Sequence, residues 1–267
     1  MRDLRDKAAF VTGAGNGIGR GIANSLAREG VAVALADIDD EAAAKARDEI
    51  EAAGGRAIAL ACDVTDEAAM SHAADVASDA LGPIQLLVNN AGAFAASPLE
   101  QTQRRDWEWL LEVNVLGVVN GLHTFLPRMR AHGQPAHIVN TASVSGHIPA
   151  LNLSIYTASK FAVVGLSEVL RLELAETPIG VSVLCPGIVK TELLDTSRRH
   201  RAERHGGSDA GTGIEMGAVV DRGTDPALIG DQVVAGLKAD DFYIFTHPGV
   251  RPAFEHRFRS ILAEYRS

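Results

Sequence analysis

The fold is decided by the stretch TGAGNGIGRGIANSLAREG, residues 12–30, which opens with alternating glycines and continues with the apolar spacing of a helix. The apolar run KAAFV comes directly before it. Because glycine has no Cβ, such a turn can lie close to a pyrophosphate, and the helix that follows offers free N–H groups and the positive end of its dipole. The stretch therefore predicts a strand, a phosphate-binding turn and a helix in succession.

Asp37 lies 18 positions after Gly19, at the end of the next apolar run. In a dinucleotide-binding unit, a carboxylate about 20 residues after the glycines binds the adenosine ribose hydroxyls. It would also repel a 2′-phosphate, and neither Asn16 nor Ile38 supplies a positive charge to hold one. We expect NAD rather than NADP as the cofactor. The alternative interpretation of Asp37 is an ordinary aspartate of a strand-ending turn.

Short apolar runs alternate with helix-length stretches along the chain. The runs lack polar alternation, as buried strands do. They are KAAFVTG, VAVALAD, RAIALACD, IQLLVNNAG, AHIVNTAS, GVSVLCPG and FYIFTHP. The pattern predicts an α/β fold with a Rossmann-type, doubly wound, seven-stranded parallel sheet and helices on both faces, in a single domain over residues 1–267.

Capping residues delimit two of the predicted helices. Asp39 or Asp40 can begin the first, with Gly54 at its end. Thr65 is the expected N-cap of the second, and Gly82 follows its last turn. Small polar side chains accept from free N–H groups at helix starts, and glycine adopts the left-handed conformation after helix ends.

Composition excludes several classes of protein. A net charge of −9 and a pI near 5.5 leave no basic stripe for a nucleic-acid backbone. Cys62 and Cys185 are far apart and call for neither a disulfide nor a zinc site. The charged N-terminus has no signal-peptide core, and no apolar run is expected to reach membrane-spanning length. We expect a cytoplasmic protein with neither nucleic acid nor membrane as a partner.

No metal site is expected from the histidines. His72 and His123 fall on separate helices, and His200 with His205 is too weak a pair to indicate a metal.

The regular alternation breaks once, between residues 188 and 224. The segment HGGSDAGTG within it is rich in glycine and small polar residues, and long irregular insertions in compact domains usually serve function or are disordered. We expect a substrate lid at about 190–224. Its basic run SRRHRAERH, residues 197–205, is either a solvated helical face or part of that lid.

Polar and small residues end the third and fourth predicted strands. Asp63 and Val64 close the third, and Asn90, Ala91 and Gly92 close the fourth. Since the carboxyl ends of the strands border the ligand crevice of a doubly wound sheet, we expect Asp63 near the adenine amino group and the stretch NNAG against the cofactor.

Tyr156 has a lysine, Lys160, four residues further on in a stretch with helical spacing. Residues four apart share a helix face, about 5 to 6 Å apart. A lysine charge about 5 Å from the phenol, at an effective dielectric of about 20, lowers its pKa by about 2 units from near 10. The pair therefore predicts a proton acceptor for an alcohol, with no histidine or carboxylate needed.

Two further polar residues complete the expected catalytic group. Ser143, 13 residues before Tyr156, can hydrogen-bond the reacting oxygen and hold it against the phenol. Ser145 is the alternative for that role. Asn114 lies in a long helical region, where asparagine brings no advantage in helix propensity. Its amide can hold a water that relays protons from Lys160.

These residues together resemble the short-chain dehydrogenase/reductase family in its compact, single-domain form. The resemblance spans residues 4–265 and rests, in chain order, on TGAGNGIG, NNAG, Asn114, Ser143, YTASK and PGIVKT. It implies NAD(P)-dependent oxidation of a secondary alcohol or reduction of the ketone, with Tyr156 as acid/base and Lys160 also holding the nicotinamide ribose.

The resemblance also implies contacts of Ile188 and Thr191 with the nicotinamide carboxamide, and a homotetramer in which the helices of Asn114 and Tyr156 pack across one interface. The expected cofactor-binding set is Gly13, Asn16, Gly17, Ile18, Gly19, Asp37, Asp63, Val64, Asn90, Ala91, Gly92, Tyr156, Lys160, Pro186, Gly187, Ile188 and Thr191.

The substrate is expected to be a mainly apolar small-molecule alcohol or ketone. The expected pocket consists of Ser143, His147, Leu153, Tyr156, Leu193 and Leu194, although its apolar members could equally anchor loops under the lid. Residues 117–143 and 243–258 are similar to the family branch that dehydrogenates benzylic alcohols of lignin-derived compounds. A steroid, terpenoid or other cyclic alcohol stays open.

Two other functions are weighed. An NAD-sensing regulatory protein of the same fold has no need of an intact Tyr, Lys, Ser and Asn set. A sugar-nucleotide epimerase of the same superfamily fits poorly with the short C-terminal region and the glycine spacing.

Overall fold

The computed structural model describes residues 3–205 and 220–265, which form one seven-stranded parallel sheet. The strands are β1 Ala8–Thr12, β2 Ala32–Asp37, β3 Ala57–Ala61, β4 Ile84–Asn89, β5 Ala136–Thr141, β6 Ile179–Cys185 and β7 Tyr243–Phe245. Their order is β3-β2-β1-β4-β5-β6-β7. All seven predicted strands are present, and the predicted Rossmann-type fold is confirmed. The order reverses between β1 and β4, the point where ligands bind in doubly wound sheets.

Helices cover both faces of the sheet. Those in the described residues are α1 Gly17–Arg28, α2 Asp40–Ala52, α3 Glu67–Leu81, α4 Arg104–Leu111, α5 Gly117–His132, α6 Ser154–Glu173, α7 Leu193–His205, α8 Pro226–Ala239 and α9 Arg251–Ala263. One core lies under α1, α2 and α8, and the other under α3, α5 and α6. Successive strand residues serve the two cores in turn: Phe10 packs on Phe125 of α5, whereas Val11 faces the α1 side.

The caps agree with the sequence in all but one case. The Asp39 side chain accepts from Ala42 N at the start of α2, and Gly54 and Gly82 have positive φ after the ends of α2 and α3. The prediction of Thr65 as the N-cap of α3 is wrong. Asp66 accepts from two N–H groups of the first turn, because the Thr65 hydroxyl donates instead to Asp63.

One helical stretch within the described residues, Arg104–His132, is long and apolar enough in one window to cross a membrane. The expectation that no run reaches this length is therefore wrong. Half of that window is buried in the protein. Trp109, Phe125 and Met129 of the same helical stretch lie in the protein interior, as expected for a core helix.

The insertion after β6 leaves and rejoins the sheet through two paired segments. Val189 forms a parallel bridge with Thr224, Lys190 N donates to Thr224 O, and Thr224 N donates to Ile188 O. We call residues 188–190 and 223–224 the feet of the insertion. The helix α7 follows the first foot; residues 206–219 of the predicted lid lie outside the described part of the chain.

Candidate active site

The glycine-rich turn packs tightly against the end of β4. A Cβ on Gly13, whose φ is +62°, would lie 2.8 Å from Ala91 Cα. The Asn90 amide donates to the carbonyls of Thr12 and Gly13, and the Thr12 hydroxyl accepts from the backbone N–H groups of Asn90 and Ala91. Two segments almost 80 residues apart are thus joined at the switch point of the sheet.

The start of α1 has the geometry of a phosphate cradle. Gly17 has φ +51°, and a Cβ there would lie 2.9 Å from Thr191 Cγ2. A Cβ on Gly19 would lie 2.0 Å from Gly13 O, so only glycine allows the turn to close. Asn16 is the N-cap residue but makes no side-chain cap, which leaves first-turn N–H groups for an anion. Ile18 packs into the core beneath.

Asp37 lies beside this turn, as expected. Its Oδ2 accepts from Gly15 N at 2.8 Å and its Oδ1 from Asp39 N at 3.0 Å. Burial and the neighbouring Asp39 carboxylate raise the pKa of Asp37, while the two backbone hydrogen bonds and His200 of α7 oppose that rise. Each carboxylate oxygen keeps further acceptor capacity for a ribose hydroxyl.

The end of β3 borders the same crevice. Asp63 Oδ1 accepts from the backbone and hydroxyl of Thr65. Val64 is buried, and its carbonyl accepts from the Asn120 amide.

Asn114 lies in a π-helical turn, Glu112–Leu116, between α4 and α5. Its Oδ1 accepts from Ala93 N at 2.7 Å, and its two amide hydrogens go to Ala93 O and Ser159 Oγ. The side chain thus holds the segment after β4 against α6. Both N–H bonds are used, so only Oδ1 can accept from a water. That oxygen and Lys160 Nζ both face Gly92, at 3.3 and 3.6 Å from where a Cβ there would be.

Tyr156, on the first turns of α6, is half-buried and hydrogen-bonded to the Ser143 hydroxyl. The Ser143 Oγ also accepts from Ser145 N and lies 3.4 Å from Pro186 O. Of the two serines considered, Ser143 is the one that interacts with Tyr156. Burial raises the pKa of Tyr156, and the Ser143 hydrogen bond opposes the rise.

Lys160 is buried one turn further along α6, and its Nζ lies 5.6 Å from the centre of the Tyr156 ring. The ammonium donates to Thr141 O at 3.0 Å. Burial lowers the pKa of Lys160 to about 8, with the Cys185 thiol opposing. The predicted lowering of the tyrosine pKa is therefore not found in the protein alone, because burial penalises the charged form of both groups.

The helix α7 covers this group. Ser197, buried on its inner face, accepts from Phe94 N at 2.9 Å, and the Phe94 ring lies 4.9 Å from that of Tyr156. One turn later Arg201 pairs with Asp106, whose side chain is only 10% exposed. The side chains of the basic run are divided between two environments: Ser197 and Arg201 face inward, whereas Arg198 and Arg199 are exposed.

The expected pocket residues separate into two groups. Leu193 and Leu194 are half-buried at the start of α7, and Leu153 is buried at the N-cap of α6. His147, however, does not join them. Its ring packs among Tyr243, Phe245 and Phe254, because the short helix after Ser143 turns its side chain towards β7 and α9. We therefore withdraw His147 from the pocket.

The sequence analysis left two residues of the site without a role. Thr12 joins the glycine turn to β4, and His247 contacts the loop after β6 through Gly187 N. Thr12 begins the glycine motif and could have been recognised from it. His247 carries no such signal, because only the fold brings it to the site. Phe94 packs on Tyr156.

Comparisons with known proteins agree with this geometry. The family model for short chain dehydrogenase matches residues 7–202. A C alpha-dehydrogenase of Sphingobium sp. is 34% identical over 98% of this chain and 87% of its own length. A cyclohexanol dehydrogenase of Acinetobacter sp. is 38% identical over 72% of this chain and 76% of its own. The crystal structure of a short chain dehydrogenase/reductase from Burkholderia phymatum in complex with NAD has a TM-score of 0.94 and 34% identity, covering 100% of this chain and 98% of that one.

Proposed function

Since the chain belongs to the short-chain dehydrogenase family, we propose that it interconverts a secondary alcohol and a ketone with NAD, using Tyr156 as acid/base. The observation that carries the proposal is the buried ammonium of Lys160, 5.6 Å from the centre of the Tyr156 ring, with Ser143 as a polar neighbour of the phenol.

The residues at the switch point fit a dinucleotide. Gly13, Gly17 and Gly19 leave the space that a Cβ would fill, and the uncapped start of α1 offers N–H groups to a pyrophosphate. Asp37 offers carboxylate oxygens to ribose hydroxyls, which favours NAD over NADP. On the nicotinamide side the candidates are the loop from Pro186 to Thr191 and the Lys160 ammonium.

In alcohol oxidation the Tyr156 oxygen takes the hydroxyl proton, and the Ser143 hydroxyl holds the substrate oxygen against it. The Lys160 charge stabilises the phenolate form of Tyr156, which is the form that accepts the proton. NAD, when bound, accepts the hydride that leaves the alcohol carbon. In ketone reduction Tyr156 returns the proton.

The substrate is proposed to be apolar and cyclic or benzylic. The Phe94 ring packs on Tyr156, Leu153 is buried at the N-cap of α6, and Leu193 and Leu194 are half-buried at the start of α7. The relative named for cyclohexanol is in keeping with a cyclic alcohol. We further propose α7 as the described part of the substrate lid.

We also propose a cytoplasmic homotetramer. Leu116, Val169 and Leu172, on the Asn114 turn and the Tyr156 helix, are more than half exposed, as an interface between copies would require. Sedimentation velocity on the purified protein tests the assembly; a monomer would contradict it.

Replacing Tyr156 by Phe tests the function. We expect turnover to fall at least about 10³-fold, because the acid/base hydroxyl is lost, while the dissociation constant of NADH stays within about twofold. The assay follows reduced nicotinamide absorbance with NAD or NADP and a panel of benzylic, steroidal and cyclic alcohols.

Near-normal rates in Tyr156→Phe would contradict the mechanism. NADH binding by the natural protein without turnover of any alcohol in the panel would favour the regulatory sensor instead. Tyr265→Phe, which alters an exposed tyrosine near the C-terminus, is the matched control and should keep full activity.

A further inference from the structure

His247 follows β7 and lies between the loop after β6 and both feet of the insertion. Gly187 N donates to its Nδ1 at 3.0 Å, and a Cβ on Gly187 would lie 2.8 Å from the ring carbon Cγ. The opposite nitrogen, Nε2, lies 3.1 Å from Ile188 O and 3.0 Å from Thr224 Oγ1. One side chain thus links the loop after β6 to the second foot of the insertion.

These contacts define the tautomer of the neutral ring. Because Nδ1 accepts from the Gly187 amide, its lone pair is in use and the ring proton is on Nε2. Nε2 then donates to Ile188 O or Thr224 Oγ1. The Thr246 hydroxyl lies 2.7 Å from Nδ1 and can reach it only as a donor that shares the same lone pair with Gly187 N. A rigid ring with an acceptor at one end and a donor at the other is what this arrangement requires.

Both segments held by the ring belong to larger functional parts. The loop from Pro186 to Thr191 reaches the glycine turn, where Thr191 contacts the position of Gly17. The feet support α7, which covers Tyr156 through Ser197 and Phe94. The feet pair directly with each other through backbone hydrogen bonds, and His247 links that pair to β7.

We propose that His247 is a positioning residue that holds the nicotinamide-side loop and the second foot of the insertion in one arrangement, so that its loss loosens both. This rests on the proposed function, which assigns that loop to NAD. The hydrogen bonds of His247 go to Gly187, Ile188 and Thr224, and it acts through these residues.

The test uses three variants of the full chain. His247→Phe keeps a ring and removes both hydrogen-bonding ends. His247→Asn keeps an acceptor near the position of Nδ1, and Thr224→Val removes only the hydroxyl at the second foot while keeping the side-chain shape. His72→Phe, on the exposed side of α3, is the matched control.

Two readouts are taken: the dissociation constant of NADH by fluorescence titration, and amide hydrogen exchange in peptides covering residues 186–191 and 223–225, with and without NADH. We expect His247→Phe to weaken NADH binding about 25-fold and to speed exchange in both peptides, because each of the two lost hydrogen bonds is worth about fivefold. His247→Asn should recover most of the affinity. Thr224→Val should speed exchange at 223–225 and leave NADH affinity within about twofold.

The proposal is overturned if the natural protein binds NADH and His247→Phe matches it in affinity and exchange. If His247→Phe does not fold, unchanged exchange at 223–225 in Thr224→Val overturns it instead. A natural protein that binds neither NADH nor NADPH contradicts the proposed function rather than the position of His247, because the exchange of the feet is still measurable without cofactor.

Discussion

Tyr156 and Lys160 show what residue spacing can and cannot predict. The four-residue spacing predicts their proximity, and the 5.6 Å separation agrees with it. The predicted lowering of the Tyr156 pKa is not found, because both side chains are removed from water and burial penalises the charged form of each. An oxidised nicotinamide, which the proposed function brings beside them, supplies the positive charge that would favour the phenolate.

The proposed preference for NAD over NADP rests on Asp37, and the Asp37→Ala substitution tests it. Removing the carboxylate removes the charge-assisted hydrogen bonds to the ribose and the repulsion of a 2′-phosphate. We expect the preference for NAD over NADP, as a ratio of kcat/KM, to fall at least about tenfold.

Asp40→Ala, which alters an exposed carboxylate in the first turn of α2, is the control and should leave the ratio unchanged. If Asp37→Ala also leaves it unchanged, the adenosine ribose does not lie at the end of β2.

Among the elements, the π-helical turn at Glu112–Leu116 positions a residue of the candidate site. A π turn adds a residue to a helix and is often found at functional sites. Here it directs the Asn114 side chain into the protein, where it satisfies both backbone groups of Ala93. Asn114, whose amide is expected to hold a relay water, therefore also fixes the segment after β4 beside the proposed cofactor crevice.

The closure of α7 over Tyr156 depends on two inward side chains one turn apart. Ser197→Ala with Arg201→Gln removes the hydrogen bond to Phe94 N and the pairing with Asp106. If α7 is the lid, we expect the KM of the alcohol identified in the panel to rise about tenfold, with a change of at most about threefold in NADH affinity.

Arg199→Gln, on the exposed side of α7, should leave both constants unchanged. An unaltered KM in the double variant would mean that α7 is a solvated helix with no part in substrate binding.

At the scale of the whole molecule, two cores on opposite faces of one sheet hold the strand ends in register. The end of the sheet opposite the site contains a buried histidine, His137, bonded to Ser182 Oγ at 2.8 Å. Burial lowers the pKa of His137 to about 4, although the Asp240 carboxylate 3.8 Å away opposes this.

This histidine makes stability depend on pH. Between pH about 6.5 and about 4 the unfolded chain takes up a proton at His137 that the folded chain does not, so the free energy of unfolding falls as pH falls. The full loss is roughly 3 kcal/mol and levels off below pH about 4. We expect His137→Gln to lose less stability than the natural protein between pH 7 and 4.

Urea unfolding at a series of pH values measures this difference. His72→Gln, which alters an exposed histidine, should follow the natural protein. Parallel curves for His137→Gln and the natural protein would show that the buried imidazole does not titrate as described.

The sequence alone predicted the seven strands, most of the helix caps and the glycine turn, because each depends on neighbours close in the chain. Apolar runs and glycines at fixed intervals report local geometry. The proximity of Tyr156 and Lys160 followed from their four-residue spacing. The doubly wound arrangement followed from the alternation of strands and helices, whereas the order of the strands came from the structure.

Only the tertiary structure decided which distant groups meet. It brought Thr191 to Gly17, Phe94 to Tyr156 and His247 to Gly187, and it turned His147 away from the pocket. It also decided the sign of the pKa shifts at Tyr156 and Lys160. Both depend on burial and on contacts between segments far apart in the chain, which residue spacing does not encode.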